Sequence, residues 1–74
     1  MIIEKAQMIY DRDHGIANEG WFVRMTTNYG TELDYTVRYR GHTMSQSTAR
    51  RHLRQIAAYH GADVRRGLVV EVKP

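Results

Sequence analysis

The chain has 74 residues, a length that predicts one small domain spanning residues 1–74. Its 42% hydrophobic and 26% charged residues are typical of folded globular proteins and exclude a disordered, collagen-like or low-complexity chain. The formal net charge is +3, and the absence of cysteine excludes disulfides and thiolate metal or redox sites.

Alternating apolar residues predict two strands before residue 30. Residues 2–10 form the first, because apolar side chains occupy most even positions, namely Ile2, Ala6, Met8 and Tyr10. A turn is expected at 11–15, and a loop continues to Gly20. Residues 21–28 form the second strand, with Trp21, Val23 and Met25 on one face and Phe22, Arg24 and Thr26 on the other.

A third strand is predicted after a turn at residues 28–31, where Gly30 favours a hairpin. Its pattern is the most regular in the chain, because Leu33, Tyr35, Val37 and Tyr39 alternate with Asp34, Thr36, Arg38 and Arg40. These three strands are expected to form an antiparallel meander that ends at Gly41.

One helix and a returning strand complete the prediction. The helix covers residues 46–60, with Ser45 as N-cap, Gly61 after its end, and an apolar stripe formed by Ala49, Leu53, Ile56, Ala57 and His60. The last strand covers residues 68–73, with Leu68, Val70 and Val72 inward. The fold class is therefore α+β, in the order βββαβ, with the helix on one face and the fourth strand beside the first or at the other edge.

Two motif-like patterns lack the residues that their chemistry needs. Residues 11–15 resemble the start of a calcium-binding loop, but its fifth and twelfth positions hold Gly15 and Phe22 instead of oxygen ligands. Residues 15–20 have the glycine spacing of a phosphate-binding loop, but Trp21 and Phe22 replace the lysine and hydroxyl that must follow. We therefore expect neither site.

The histidines and serines predict no catalytic or metal site. His14, His42, His52 and His60 are never three to five residues apart, the spacing typical of zinc ligands. Ser45 and Ser47 are explained by the helix start. We predict a protein that is not an enzyme and has no metal or cofactor. Metal binding and a small enzyme stay open only if the fold brings His14 and His42 together beside Asp11 or Asp13.

Charge is the distinctive feature of this chain. Residues 1–34 carry three basic and six acidic side chains, whereas residues 35–74 carry eight basic and two acidic ones. Nine of the eleven basic residues are arginine, whose planar guanidinium suits bidentate contact with phosphate or carboxylate. The second half therefore indicates an anionic ligand, the alternative being that these arginines are solvated charges without one.

Two surfaces present the arginines in the predicted fold. Arg38 and Arg40 share the polar face of the third strand, beside Arg24 and Phe22 of its partner. The outer side of the helix and the following loop present the second set, which is Arg50, Arg51, Arg54, Arg65 and Arg66. The strand pair is slightly favoured, because both its guanidinium groups are expected on one face with Arg24 nearby.

Residues 20–60, three strands followed by a helix, resemble the N-terminal arm-binding domains of tyrosine recombinases in plan. The resemblance implies DNA contact through the sheet face that the helix leaves open, with Arg24, Arg38 and Arg40 as contacts. In its size, lack of cysteine and α+β class, the chain is also similar to phage-encoded accessory proteins. These include anti-CRISPR inhibitors of host defence complexes.

The predicted function is a non-catalytic binding protein that contacts nucleic acid or a nucleoprotein through its arginines. The alternative is a small phage-type, anti-CRISPR-like inhibitor that binds an acidic protein surface in a host complex, with Phe22 and Tyr29 as apolar contacts. Apolar stretches far shorter than about 20 residues predict no membrane span, and no signal-peptide pattern follows Met1. We expect a cytoplasmic monomer or homodimer.

Overall fold

The computed structural model describes residues 1–12 and 20–74 and has the predicted α+β fold. Its elements are β1 (Ile2–Asp11), β2 (Gly20–Thr27), β3 (Glu32–Val37), α1 (Gln46–Tyr59), β4 (Asp63–Val64) and β5 (Glu71–Lys73). The strands form one sheet, and α1 packs on one of its faces. Residues 13–19, which include most of the turn and loop predicted between the first two strands, lie outside the described residues.

The sheet has the order β3-β2-β1-β4, and β5 also pairs with β1. The first three strands are antiparallel, as predicted. β4 pairs in parallel with Ile2 and Ile3, whereas β5 pairs in parallel with residues 7–9 of the same strand. The chain after the helix therefore covers one edge of β1 in two short pieces, and β3 forms the opposite edge of the sheet.

The core lies between the sheet and α1. Trp21, Val23 and Met25 of β2 are almost completely buried, which confirms the predicted inward face of this strand. Ala49, Leu53 and Ala57 face them from the helix. The indole nitrogen of Trp21 donates a hydrogen bond to the carbonyl of Gly41 at 2.8 Å, so the largest core side chain also has its polar atom satisfied.

The predicted inward face of β1 is wrong at its beginning. Ile3 is 1% exposed and Ile2 is 39% exposed, although the alternation had placed Ile2 in the core. The register with β2 shifts between Ile3 and Lys5, and such a β-bulge reverses the face on which the preceding residues lie. Beyond it, Ala6 and Met8 are buried as predicted.

The helix has the predicted start and end. The backbone N–H of Thr48 donates to Ser45 Oγ at 3.2 Å, which confirms Ser45 as the N-cap. Gly61 follows the helix with a φ of +67°, a conformation that favours glycine. The predicted apolar stripe is wrong at His60. This residue is exposed because it follows the last residue of the helix, and its ring centre lies 4.2 Å from that of Tyr35.

The last predicted strand is shorter than its pattern indicated. Leu68 and Val70 are buried as expected, but only residues 71–73 form strand, while β4 was not predicted. Between β4 and β5 the chain turns from the edge of β1 towards the start of α1, where the Gln46 side chain forms hydrogen bonds with the backbone of Val70.

In the described ranges, no helix is long and apolar enough to cross a membrane.

Candidate nucleic-acid interface

Arg24 lies on the open face of the sheet and is held by carboxylates. Its guanidinium donates to both oxygens of Asp34, at 3.0 and 3.1 Å, and Glu32 lies 3.3 Å away. The hydrogen bond to Asp34 and then the charge of that carboxylate raise the pKa of Arg24 above its usual value. This pairing follows from the hairpin register, in which Arg24 stands opposite Asp34, and it neutralises the cation expected to contact DNA.

The open face also carries an aromatic ring and a second ion pair. Phe22 packs beneath Arg24, with 5.5 Å from the guanidinium carbon to the ring centre. Lys73 lies 3.5 Å from Glu71. A hydrogen bond from Gln7 and the charge of Lys73 lower the pKa of Glu71, which favours its ionised form. Among the described residues, the expected arginine-rich sheet face therefore holds one arginine, Arg24, which is already paired with carboxylates.

Arg38 and Arg40 lie beyond β3, so their predicted place on a strand is wrong. The strand ends at Val37 because that residue pairs with Trp21, one position from the beginning of β2. Both arginines are exposed, and neither forms an ion pair within the described part of the chain. Tyr39 between them packs inward, with its ring centre 6.2 Å from that of Trp21.

Four arginines from two segments line one open groove of about 280 Å³. Arg50 and Arg54 come from the helix, and Arg65 and Arg66 come from the segment after β4. The apolar part of the lining consists of Leu53, Val64, Gly67 and Leu68. We call this feature the arginine groove. Arg51, predicted with the same set, is exposed but does not line it.

A tight turn places Arg65 and Arg66 opposite the helix. The backbone N–H of Leu68 donates to the carbonyl of Arg65 at 3.1 Å, and Gly67 has a φ of +76°. At its start the turn is attached to β1, because the N–H of Arg65 donates to the carbonyl of Ile3 at 3.0 Å. The second wall of the groove is therefore fixed to the sheet.

No carboxylate of the described residues balances the charge of the arginine groove. Its lining contains no carboxylate, and none of its four arginines forms an ion pair with an acidic side chain in the described ranges. Guanidinium groups present several N–H donors in one plane and bind phosphate or carboxylate oxygens in pairs. The groove therefore has the chemistry of an anion-binding site.

The histidines form no metal site in the parts of the chain that the structure describes. His42 packs against Tyr10, with ring centres 5.2 Å apart, and His52 packs against Tyr39 at 5.9 Å. His14 and Asp13, the proposed partners of His42, lie outside the described residues. Burial and the nearby charge of Arg51 lower the pKa of His52, which favours its neutral form.

Comparisons with protein-family models, with curated proteins and with solved structures found no match.

Proposed function

We propose that this protein is a non-catalytic nucleic-acid-binding protein whose contact surface is the arginine groove. One observation carries the proposal: Arg50, Arg54, Arg65 and Arg66 line the same groove, and no carboxylate lies among them. Arg24, in contrast, already has two carboxylate partners. The interface proposed is thus the helix and the turn after β4, not the open face of the sheet.

Electrostatics favours an anionic ligand at this position. Positive charges that share a groove repel one another, and a polyanion placed between them replaces repulsion with attraction. Nucleic acid supplies regularly spaced phosphates and releases counterions when arginines neutralise them. A phosphate backbone therefore matches both the sign and the arrangement of these side chains.

The second candidate is a protein ligand with an acidic surface, as for a phage-type inhibitor of a host complex. Exposed apolar side chains favour it, because Tyr59 is 86% exposed, Tyr29 is 75% exposed and Val69 is 66% exposed. Aromatic and arginine residues are enriched at protein interfaces. The same arginines would serve this function, so an experiment has to separate the two ligands.

Fluorescence anisotropy with labelled single-stranded DNA, duplex DNA and RNA at two salt concentrations tests the proposed function. Two double variants that each remove two positive charges provide the matched comparison. Arg54→Ala with Arg66→Ala removes two arginines of the groove, and Arg38→Ala with Arg40→Ala removes the two exposed arginines after β3. Circular dichroism of each variant establishes that it is folded.

We expect the wild type to bind nucleic acid at low salt and to lose affinity as salt rises. The groove variant should lose about tenfold or more in affinity, whereas the other double variant should lose about threefold or less. An absence of binding at low salt contradicts the proposed function. Salt-resistant capture of an acidic protein, without binding of free nucleic acid, would favour the second candidate.

A further inference from the structure

The shape of the arginine groove restricts the form of nucleic acid that fits it. Arg50 and Arg54 lie on a side of the helix that faces the turn carrying Arg65 and Arg66. A helix that reads duplex DNA inserts an unobstructed side into a major groove about 12 Å wide. Here the turn stands beside the arginines of α1, so this side of the helix is concave. A single phosphodiester strand can lie in such a groove.

Arg65 is the fixed donor of the groove. Its Nε donates to the carbonyl of Glu4 at 3.3 Å. Glu4 follows the part of β1 that pairs with β4 and precedes the part that pairs with β5, so neither strand covers it. The backbone N–H of Arg65 is bonded to Ile3. The first bond holds the side chain, and the second holds the backbone, against the sheet edge. The side-chain bond uses one of the five guanidinium N–H donors and leaves the terminal nitrogens for a ligand.

Arg50 differs from Arg65, because its Nε is buried and has no hydrogen-bond acceptor among the described residues. A buried guanidinium donor without an acceptor is unfavourable, because it has lost its bonds to water without gaining others. Rotation of the side chain towards a ligand breaks no bond of this nitrogen. A phosphate oxygen in the groove would supply the acceptor that the described residues do not.

We propose that the arginine groove seats a phosphate of a single nucleic-acid strand between Arg65, which is held in place, and Arg50, which reorients on binding. This inference rests on the proposed function and specifies its ligand. None of the described residues that line the groove is aromatic, so they offer no surface on which bases would stack. Contact is made with the backbone, and the preference for particular bases is weak.

The experiment compares an oligothymidine strand of about 12 nucleotides with a duplex of the same length, by fluorescence anisotropy at low salt. Arg50→Lys keeps the positive charge but removes the planar guanidinium and its Nε donor. Arg51→Lys is the matched control, because Arg51 is the next residue of the helix, is exposed, and lies outside the groove. A thermal melt of each variant establishes folding.

We expect the single strand to bind at least about tenfold more tightly than the duplex. Arg50→Lys should weaken single-strand binding by about fivefold or more, whereas Arg51→Lys should change it by less than about twofold. Equal or tighter binding of the duplex, or equal effects of the two lysine variants, overturns this inference and leaves the proposed function intact. Failure of both nucleic acids to bind overturns the proposed function as well.

Discussion

The side chain of Gln46 forms two hydrogen bonds with the backbone of Val70. Its Nε2 donates to the Val70 carbonyl at 2.7 Å, and its Oε1 accepts from the Val70 N–H at 2.8 Å. Val70 does not pair with a strand, because the chain has left the edge of β1 at this point. The side-chain amide of Gln46 therefore supplies the hydrogen bonds that a neighbouring strand would have given to Val70. One side chain in the first turn of α1 thereby fixes the segment that forms the second wall of the arginine groove.

Gln46→Ala should lower the free energy of unfolding by about 1–3 kcal/mol, because it leaves the N–H and carbonyl of Val70 without their partner. Gln55→Ala is the matched control, since Gln55 lies exposed on the same helix and should tolerate the change within about 0.5 kcal/mol. Urea unfolding followed by circular dichroism measures both. Equal stability of the two variants would mean that the Gln46 bonds do not hold this segment.

Gly67→Ala should destabilise the protein by about 1–2 kcal/mol, because Gly67 has a φ of +76°, where a Cβ is unfavourable. Gly20→Ala serves as the control. An added Cβ meets no atom within 4 Å at either glycine, and the φ of Gly20 is not positive, so the comparison isolates backbone conformation. Thermal unfolding provides the measurement, and a Gly67 variant as stable as the Gly20 variant would contradict this explanation of the turn.

The lowered pKa of His52 predicts a loss of stability in mild acid. Burial, and then the charge of Arg51, disfavour the protonated ring in the folded protein, so the unfolded chain binds the additional proton more readily. The contribution of neutral His52 to the free energy of unfolding is fully present above the usual histidine pKa of about 6.5. It is lost as the pH falls from there through the lowered pKa of the folded protein.

Denaturant unfolding between about pH 4.5 and 8.5 tests this prediction, with the limits set about two units below and above the usual histidine pKa. His52→Leu removes the titrating group, so its stability should vary less with pH than that of the wild type. The difference between the two curves is informative because every other histidine is retained. Parallel curves would show that His52 does not contribute to the pH dependence.

Hydropathy patterns predicted most elements of the fold because their signal is local. The alternation from Leu33 to Val37 is visible in the chain, as are Ser45 at the helix start and Gly61 after its end. The bulge after Ile3 was not visible, since it depends on the pairing of β1 with β2. The alternation of residues 68–73 also misled, because Gln46 and not a strand pairs with Val70.

The candidate site was only partly predictable from the sequence. The excess of arginine in the second half was evident, but a charge count cannot say which arginines already have partners. The pairing of Arg24 with Asp34 was not fixed by the predicted turn, because a loop of residues 28–31 would set Arg24 opposite Tyr35. The observed hairpin bonds Thr27 to Thr31 and therefore places Arg24 opposite Asp34. The arginine groove could not be predicted either, since it depends on where the turn after β4 lies relative to the helix.

The salt dependence of single-strand binding is the direct test of nucleic-acid contact through the arginine groove. On a plot of the logarithm of affinity against that of salt concentration, the wild type should show a negative slope of about 0.7 for each phosphate neutralised. Arg66→Ala should reduce the steepness by about 0.7, whereas Arg24→Ala should leave it unchanged, because Asp34 and Glu32 already neutralise Arg24. A flat wild-type slope, or equal effects of the two substitutions, would contradict binding through the arginine groove.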